Sequence, residues 1–200
     1  TVPSGTTLTI EAGSRVRLSM HAAIVVEGAL EVNGTPARPA LFTAEPLGNA
    51  TPPAWGGVIF RPGSRGTLEG AWFNLGGGDR SRAFGHSSSQ AVIAAEAATV
   101  TMRNSGVVDN VGKAFGTVDT VLDLDDVLVS RCDTGGQLNR TALTLRNGHV
   151  LEMPDADGQL DDDDNDGIYL SGVFQDEQGQ PVESLIADTV FAVGEDDAID

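Results

Sequence analysis

The chain has 200 residues and a formal net charge of -17, from 29 acidic against 12 basic side chains. Such a surface repels nucleic acid and anionic lipid, because phosphate binding depends on Lys and Arg releasing counterions. No apolar run approaches the roughly 18 residues of a membrane-spanning helix, and the single cysteine, Cys132, excludes an intrachain disulfide framework. One packed domain over residues 1–200, with neither nucleic acid nor membrane insertion, is the expectation.

Taken in chain order, the first elements are short apolar pairs at period two: Leu8 with Ile10, Val16 with Leu18, Ile24 with Val26, and Leu30 with Val32. Gly13, Gly28 and Gly34 punctuate them. Alternation of this kind, with 25 glycines, predicts many short strands and turns and little helix. The segment QAVIAAEAA at 90–98 is rich in the best helix former, yet its apolar residues also suit a buried strand, so it stays unassigned.

Five six-residue windows then recur, each beginning and ending apolar: Leu68 to Phe73, Met102 to Val107, Leu124 to Val129, Leu145 to Val150 and Ile186 to Phe191. Their third positions are Gly70, Asn104, Asp126, Asn147 and Asp188, residue types that tolerate a sharp backbone turn. The starts lie 34, 22, 21 and 41 residues apart. Reading the last spacing as two periods, with an intermediate copy from Ile168 to Val173, gives rungs of about 21 residues. That period fits an all-β solenoid, a parallel β-helix of some nine rungs and roughly 40 Å at the ~4.8 Å spacing of neighbouring strands. A sandwich would instead require antiparallel hairpins.

The run GTTLTIEAGSRVRL, followed by AAIVVEGALEVNGTPARPALFTAE and WGGVIFRPGSRGTLEGAWF, resembles a recurring module of bacterial exported proteins with pectin-lyase-like β-helices. It is similar to modules that accompany spore-coat-protein-H-like domains. The match is close over residues 5–73 and carries more weakly to 200. The resemblance implies a right-handed, single-stranded β-helix, a secreted or cell-surface location, and an adhesin-like or scaffolding role without catalysis. The chain starts mid-pattern at Thr1 and stops at Asp200 inside another rung, so it is expected to be a piece of a longer protein.

Two acidic constellations stand out. Asp155, Asp157, Asp161, Asp162, Asp163, Asp164 and Asp166 crowd seven carboxylates into the segment 155–167, expected as a loop inserted between rungs. Their mutual repulsion calls for a hard cation with oxygen ligands, which points to calcium. Counted as an EF-hand loop from Asp162, the segment places Asp164, Asp166 and Gly167 correctly, but Val173 occupies the last ligand position. A solvated acidic loop without metal is the alternative. The other constellation is NDGIYL at 165–170 with GEDDAID at 194–200, which resembles polygalacturonase elements. That resemblance implies Asp166, Asp196 and Asp197 as catalytic carboxylates, and an inverting glycosidase needs such a pair with room for water. The family's downstream His and Arg-Lys motifs have no counterpart in the chain.

The remaining candidates carry less chemistry. His21, His86 and His149 lack metal-ligand spacing. The glycines at 76–78 are not followed by a P-loop lysine, and HSSSQ at 86–90 lacks a nucleophile elbow. Arg61, Arg65, Arg80 and Arg82 form a basic patch suited to an anionic glycan, or are solvated loop residues. Trp55 and Trp72 are able to stack on sugars or to fill rungs. The functional expectation is a calcium-stabilised, non-catalytic module that binds polysaccharide or a cell-surface partner. A carbohydrate-active enzyme, either a glycosidase or a polysaccharide lyase, is the alternative.

Overall fold

A computed structural model describes residues 1–46, 53–85, 89–153, 166–192 and 197–200. These residues are almost all β, with no α-helix and one 3-10 turn at Arg80–Arg82. The strands recur in cycles. The first comprises β1 (Thr7–Glu11), β2 (Arg15–Leu18) and β3 (Ile24–Val26), and the second β4 (Ala29–Asn33), β5 (Ala40–Ala44) and β6 (Val58–Phe60). The third has β7 (Arg65–Glu69), β8 (Ala71–Phe73) and β9 (Ala91–Glu96). In the next two, the first pair of strands fuses into one long bent strand: β10 (Thr99–Val108) with β11 (Lys113–Val118), then β12 (Val121–Ser130) with β13 (Gly136–Asn139). The sixth is β14 (Ala142–Arg146), β15 (His149–Leu151) and β16 (Tyr169–Ser171), and the last described is β17 (Leu185–Ala187) with β18 (Val190–Ala192).

Every ladder between these strands is parallel and joins equivalent strands of successive cycles. They form a twelve-stranded sheet with two branches and a six-stranded sheet ordered β16-β13-β11-β9-β6-β3. A sandwich of antiparallel hairpins is thereby excluded for the described strands, and stacked parallel sheets of this kind are compatible with a β-solenoid. The register follows the repeating windows. Ile10, Val32, Leu68, Met102, Leu124, Leu145 and Ile186 pair in one column. Val16, Phe42, Phe73, Val107, Val129, Val150 and Phe191 pair in a second. Inner members of both columns are buried, and the Phe42 and Phe73 rings stack with centroids 4.6 Å apart. Each fully buried large side chain contributes about 1.5–3 kcal/mol, so these columns carry the stability that a disulfide framework does not supply.

The corners are equally regular. Gly70, Asn104, Asp126, Asn147 and Asp188 all adopt the left-handed backbone region, with φ between 48° and 56°. Asn and Asp enter that region at less cost than other side chains. Two further corner series, Leu75, Asp109, Arg131 and Glu152, and Ala97, Asp119 and Arg140, share that backbone conformation, and apart from the two aspartates their residue types give no such signal.

Two expectations need correction. Ile168 to Val173 is not an intermediate copy of the repeating window: β16 belongs to the six-stranded sheet and pairs with β13. Leu145 and Ile186 pair directly, so their spacing is one cycle lengthened by insertions, and the described strands make seven cycles, not nine. The Ala-rich segment at 90–98, left unassigned from sequence, is mainly β9, because its residues pair with β6 and β11 inside a sheet. In chain order the acidic segment lies between β15 and β16, and its residues up to 165 lie outside the described residues.

Candidate functional site

The connections from second to third strand are long in three cycles, and one of them builds the most developed site. Between β8 and β9, residues 82–84 lie over the six-stranded sheet, against Ile59, Ala94 and Gly116. Their entry is pinned from below: Trp55, fully buried, donates its indole Nε1–H to the Asn74 carbonyl at 2.8 Å. Asn110 accepts from Gly76 N–H at 2.8 Å and donates to the Phe73 carbonyl at 3.2 Å. The glycines at 76–78 are therefore a close-packed turn and not a phosphate loop: a Cβ on Gly77 would lie 2.5 Å from the Gly112 Cα. Asp79 caps the 3-10 turn, accepting from Ser81 N–H at 3.1 Å, from the Ser81 hydroxyl at 2.6 Å and from Arg82 Nε at 3.0 Å. The Ser81 hydroxyl above all, and Arg82 beside it, hold its carboxyl below the usual carboxylate range.

At the far end of this insertion lies Lys113, fully buried on β11. Its ammonium donates to the Phe84 carbonyl and to Gln137 Oε1 (2.9 Å), and it lies 5.9 Å from the Phe84 ring centroid. Burial pushes this amine down to about 8, against the opposing pull of the nearby Asp133 carboxylate. Asp133 itself accepts from the Ser89 hydroxyl at 2.5 Å. The cluster staples the insertion to the sheet.

Between the insertion and the sheet runs a groove of about 440 Å³. Its floor is a column of small or apolar residues in register, Ile59, Ala94 and Gly116, and Phe84 forms part of its wall. Gly116 is what lets Phe84 lie down, since a Cβ there would be 3.2 Å from the Phe84 ring and 2.7 Å from the Ala91 Cβ. Arg61, Arg82 and Glu96 also line it, as does Gln90, which is 1% exposed. Gln90 Oε1 accepts from Asp79 N–H at 2.9 Å, while its Nε2 is a buried donor with no partner among the described residues. A second cavity, of about 520 Å³, lies between the 172–184 connection and Leu138, Thr141 and Leu170.

The residues singled out from sequence scatter. Arg61 and Arg82 meet in the groove, whereas Arg65 and Arg80 are exposed and do not line it. Trp72 is half-buried, its ring so close to Gly106 that a Cβ there would come within 2.7 Å. His21 sits exposed at a corner and His149 exposed at the start of β15; His86 and most of HSSSQ lie outside the described residues. Asp155, Asp157, Asp161, Asp162, Asp163 and Asp164 also lie outside them, as does Asp196. Among the described residues no group of three His, Cys, Asp or Glu side chains is placed to hold a metal. Cys132 is buried, and desolvation pushes its thiol up to about 12, which leaves it inert.

Asp166 and Asp197 are brought together on consecutive turns of chain. Ile168 bridges Ile199 in parallel, Gly167 N–H donates to the Asp197 carbonyl at 2.9 Å, and Asp197 N–H donates to Asp166 Oδ1 at 3.3 Å. Asp166 is buried at 3% exposure, whereas Asp197 is exposed. Sequence reasoning missed Lys113, Gln90 and Phe84. The available signals were a lysine opening the otherwise apolar run KAFGTV and the lengthened spacing between the first two windows. Compared with protein-family models, with curated proteins and with solved structures, the chain matches none of them.

Proposed function

We propose that this chain is a right-handed parallel β-helix from a secreted or cell-surface bacterial protein. In this reading it serves as a non-catalytic scaffold and adhesin-like binding module that presents its insertions to polysaccharide or to a surface partner. The acidic segment from Asp155 to Asp166 holds calcium and ties down the insertion between β15 and β16. One observation carries the scaffold reading: charged side chains at the corners are spent on neighbouring cycles. Arg131 bridges Asp109 (2.5 Å) below and Glu152 (2.8 Å) above, and Arg140 grips Asp119 through Nε and a terminal nitrogen, both at 2.7 Å. Arg103 joins Asp123 (2.6 Å) and Asp125 (3.0 Å). Individually such surface pairs contribute little. In series they fix the stacking register and leave these groups committed to structure.

A second reading, a polygalacturonase-like glycosidase, is favoured by the adjacency of Asp166 and Asp197. Against it, a general acid must reach a glycosidic oxygen, and the Asp166 carboxylate is buried and accepts from backbone. Electrophoresis through gels cast with polygalacturonate or with a neutral polysaccharide tests both readings. Retarded migration in at least one gel is expected, with no reducing ends or unsaturated products in a parallel incubation. Product release would establish the enzyme reading, and unretarded migration in every gel would defeat the binding module.

A further inference from the structure

The outer face of the sheet through β5, β8, β10, β12 and β15 carries an aromatic platform that the stacking of cycles does not require. Ala71 and Phe73 are fully buried, so Trp72 between them points outward by the alternation of a strand, and it is only half-buried. Its six-membered ring lies flat on the next cycle. A Cβ added to Gly106 would stand 2.7 Å from both Cε3 and Cζ3 and 3.1 Å from Cδ2, distances too even for an approach to the edge of the ring. One face of the indole therefore rests on glycine, and the opposite face is turned away from the sheet. Its N–H, unlike that of Trp55, has no acceptor among the described residues. That suits a ring at the surface, since a buried indole N–H finds a partner.

Register sets what surrounds the ring. Leu41, Trp72, Gly106, Leu128 and His149 pair in one outward row. Beside it, two positions earlier in each cycle, runs the first corner series, in which Asn104, Asp126 and Asn147 are exposed on successive cycles, ~4.8 Å apart. The Asn104 amide donates to Glu69 at 2.7 Å and that of Asn147 to Asp125 at 2.8 Å, which leaves each amide an oxygen to accept with. The row thus offers acceptors, and a matching ligand supplies donors. Arg103, on the same strand as Gly106, is committed to Asp123 and Asp125. An acidic polysaccharide would instead meet the carboxylates of Glu69, Asp125 and Asp126 in a chain of net charge -17.

We propose that this face binds a neutral β-linked glucan, one pyranose stacking on the outer face of Trp72 while hydroxyls of the chain donate to the Asn104 amide oxygen and to Asp126. A pyranose whose hydroxyls are all equatorial presents only C–H bonds on its flat faces, which an indole face covers. Its rim carries the donors that the corner row accepts. The inference rests on the reading of the chain as a polysaccharide-binding module and deepens it, naming the class of sugar and moving the contact from the insertions to a sheet face.

Electrophoresis through gels cast with mixed-linkage β-glucan or with polygalacturonate tests it, together with acrylamide quenching of tryptophan emission in the presence of cellohexaose. Retardation by the glucan and none by polygalacturonate is expected. Trp72→Ala should weaken the glucan affinity about fivefold or more, the scale of losing one stacking ring in base recognition, and Trp72→Phe should keep part of it. Asn104→Gly, which gives that corner the residue its series already has at Gly70, should weaken it as well. Melting curves check that each variant folds. Trp55 is fully buried, so the quenchable emission belongs to Trp72, and cellohexaose should shield it in the wild-type protein, which decides the platform even if Trp72→Ala does not fold. Unretarded migration in every gel would defeat the binding-module reading and this inference with it. Retardation by polygalacturonate alone, equal retardation by the glucan of folded Trp72→Ala or Asn104→Gly, or quenching that cellohexaose leaves unchanged would overturn the platform and leave the module standing.

Discussion

Replacing Lys113 with Met gives a direct measure of the buried ammonium under the insertion. In the folded protein this amine titrates at about 8 in place of its ordinary 10.5, chiefly because burial penalises the charged form. Below pH 8 both states hold the proton and the full penalty opposes folding. Between pH 8 and 10.5 the unfolded chain binds a proton that the folded chain has released, so stability rises with pH. At 1.36 kcal/mol per pH unit the shift amounts to about 3 kcal/mol. Lys113→Met keeps the stem volume and carries no titration, while every other group titrates alike in both proteins. Subtracting the two unfolding free energies therefore isolates the lysine, and the unpaired Phe84 carbonyl and Gln137 amide oxygen add only an offset that does not vary with pH. Urea unfolding of both proteins at half-unit steps from pH 7 to 11 should show the wild type gaining on the variant by up to about 3 kcal/mol. A difference that stays flat across the series would mean that the ammonium is solvated in the folded state, and the stapled insertion would be refuted with it.

Three other perturbations test the remaining parts of the structure. Asp126 holds φ at 53° in the first corner series, so Asp126→Gly should be close to neutral whereas Asp126→Val should cost about 1–2 kcal/mol, read from thermal melts. Met102 is fully buried between Leu68 and Leu124, and Met102→Ala should lower stability by about 2–5 kcal/mol in urea unfolding. If the acidic segment holds calcium, millimolar calcium should raise the melting midpoint and EDTA should reverse the rise, since a ligand at 100 times its Kd stabilises by about 2.7 kcal/mol; an unmoved midpoint with no bound ion in a metal assay would remove calcium from the functional reading.

The strand pattern was legible because alternation at period two is imposed by the pleat, and because corner glycines, asparagines and aspartates declare a left-handed backbone. Leu68, Met102, Leu124, Leu145 and Ile186 show this, lying in the register their windows implied. Apart from Asp109 and Asp119, the second and third corners were not legible. Leu75, Arg131, Glu152 and Ala97 have no intrinsic taste for positive φ, and at Arg131 the conformation is supported from outside, by carboxylates on the adjacent cycles and by backbone bonds to Glu152. Period counting failed where insertions lengthened a cycle, and the apolar ends of Ile168 and Val173 imitated a window that belongs to the other sheet. The groove was hidden for a related reason. Its polar groups, Gln90, Arg82 and Arg61, are brought together by an insertion folding back on a sheet, and neither periodicity nor composition encodes that return. The basic patch was half visible, since only two of its four arginines line the groove.

The positions of the insertions separate what must be conserved for folding from what is free to carry function. From β10 to β11 and from β12 to β13 the second-to-third connection is short, and those two cycles repeat at close to the bare period. The long connections from β5 to β6, from β8 to β9 and from β15 to β16 all leave at that same corner. The first two of them bond to each other, through Trp55 Nε1 to the Asn74 carbonyl and Gly78 N–H to the Trp55 carbonyl. Lengthening the chain there leaves the apolar columns untouched, because the inward residues of β5, β8 and β15 have already been placed in register before the chain departs. The entropic cost of a longer loop grows only slowly with its length. One corner can therefore gather polar groups from separate cycles onto a single surface at little cost to stability, and it is there that Gln90, Arg82 and the buried Lys113 are found.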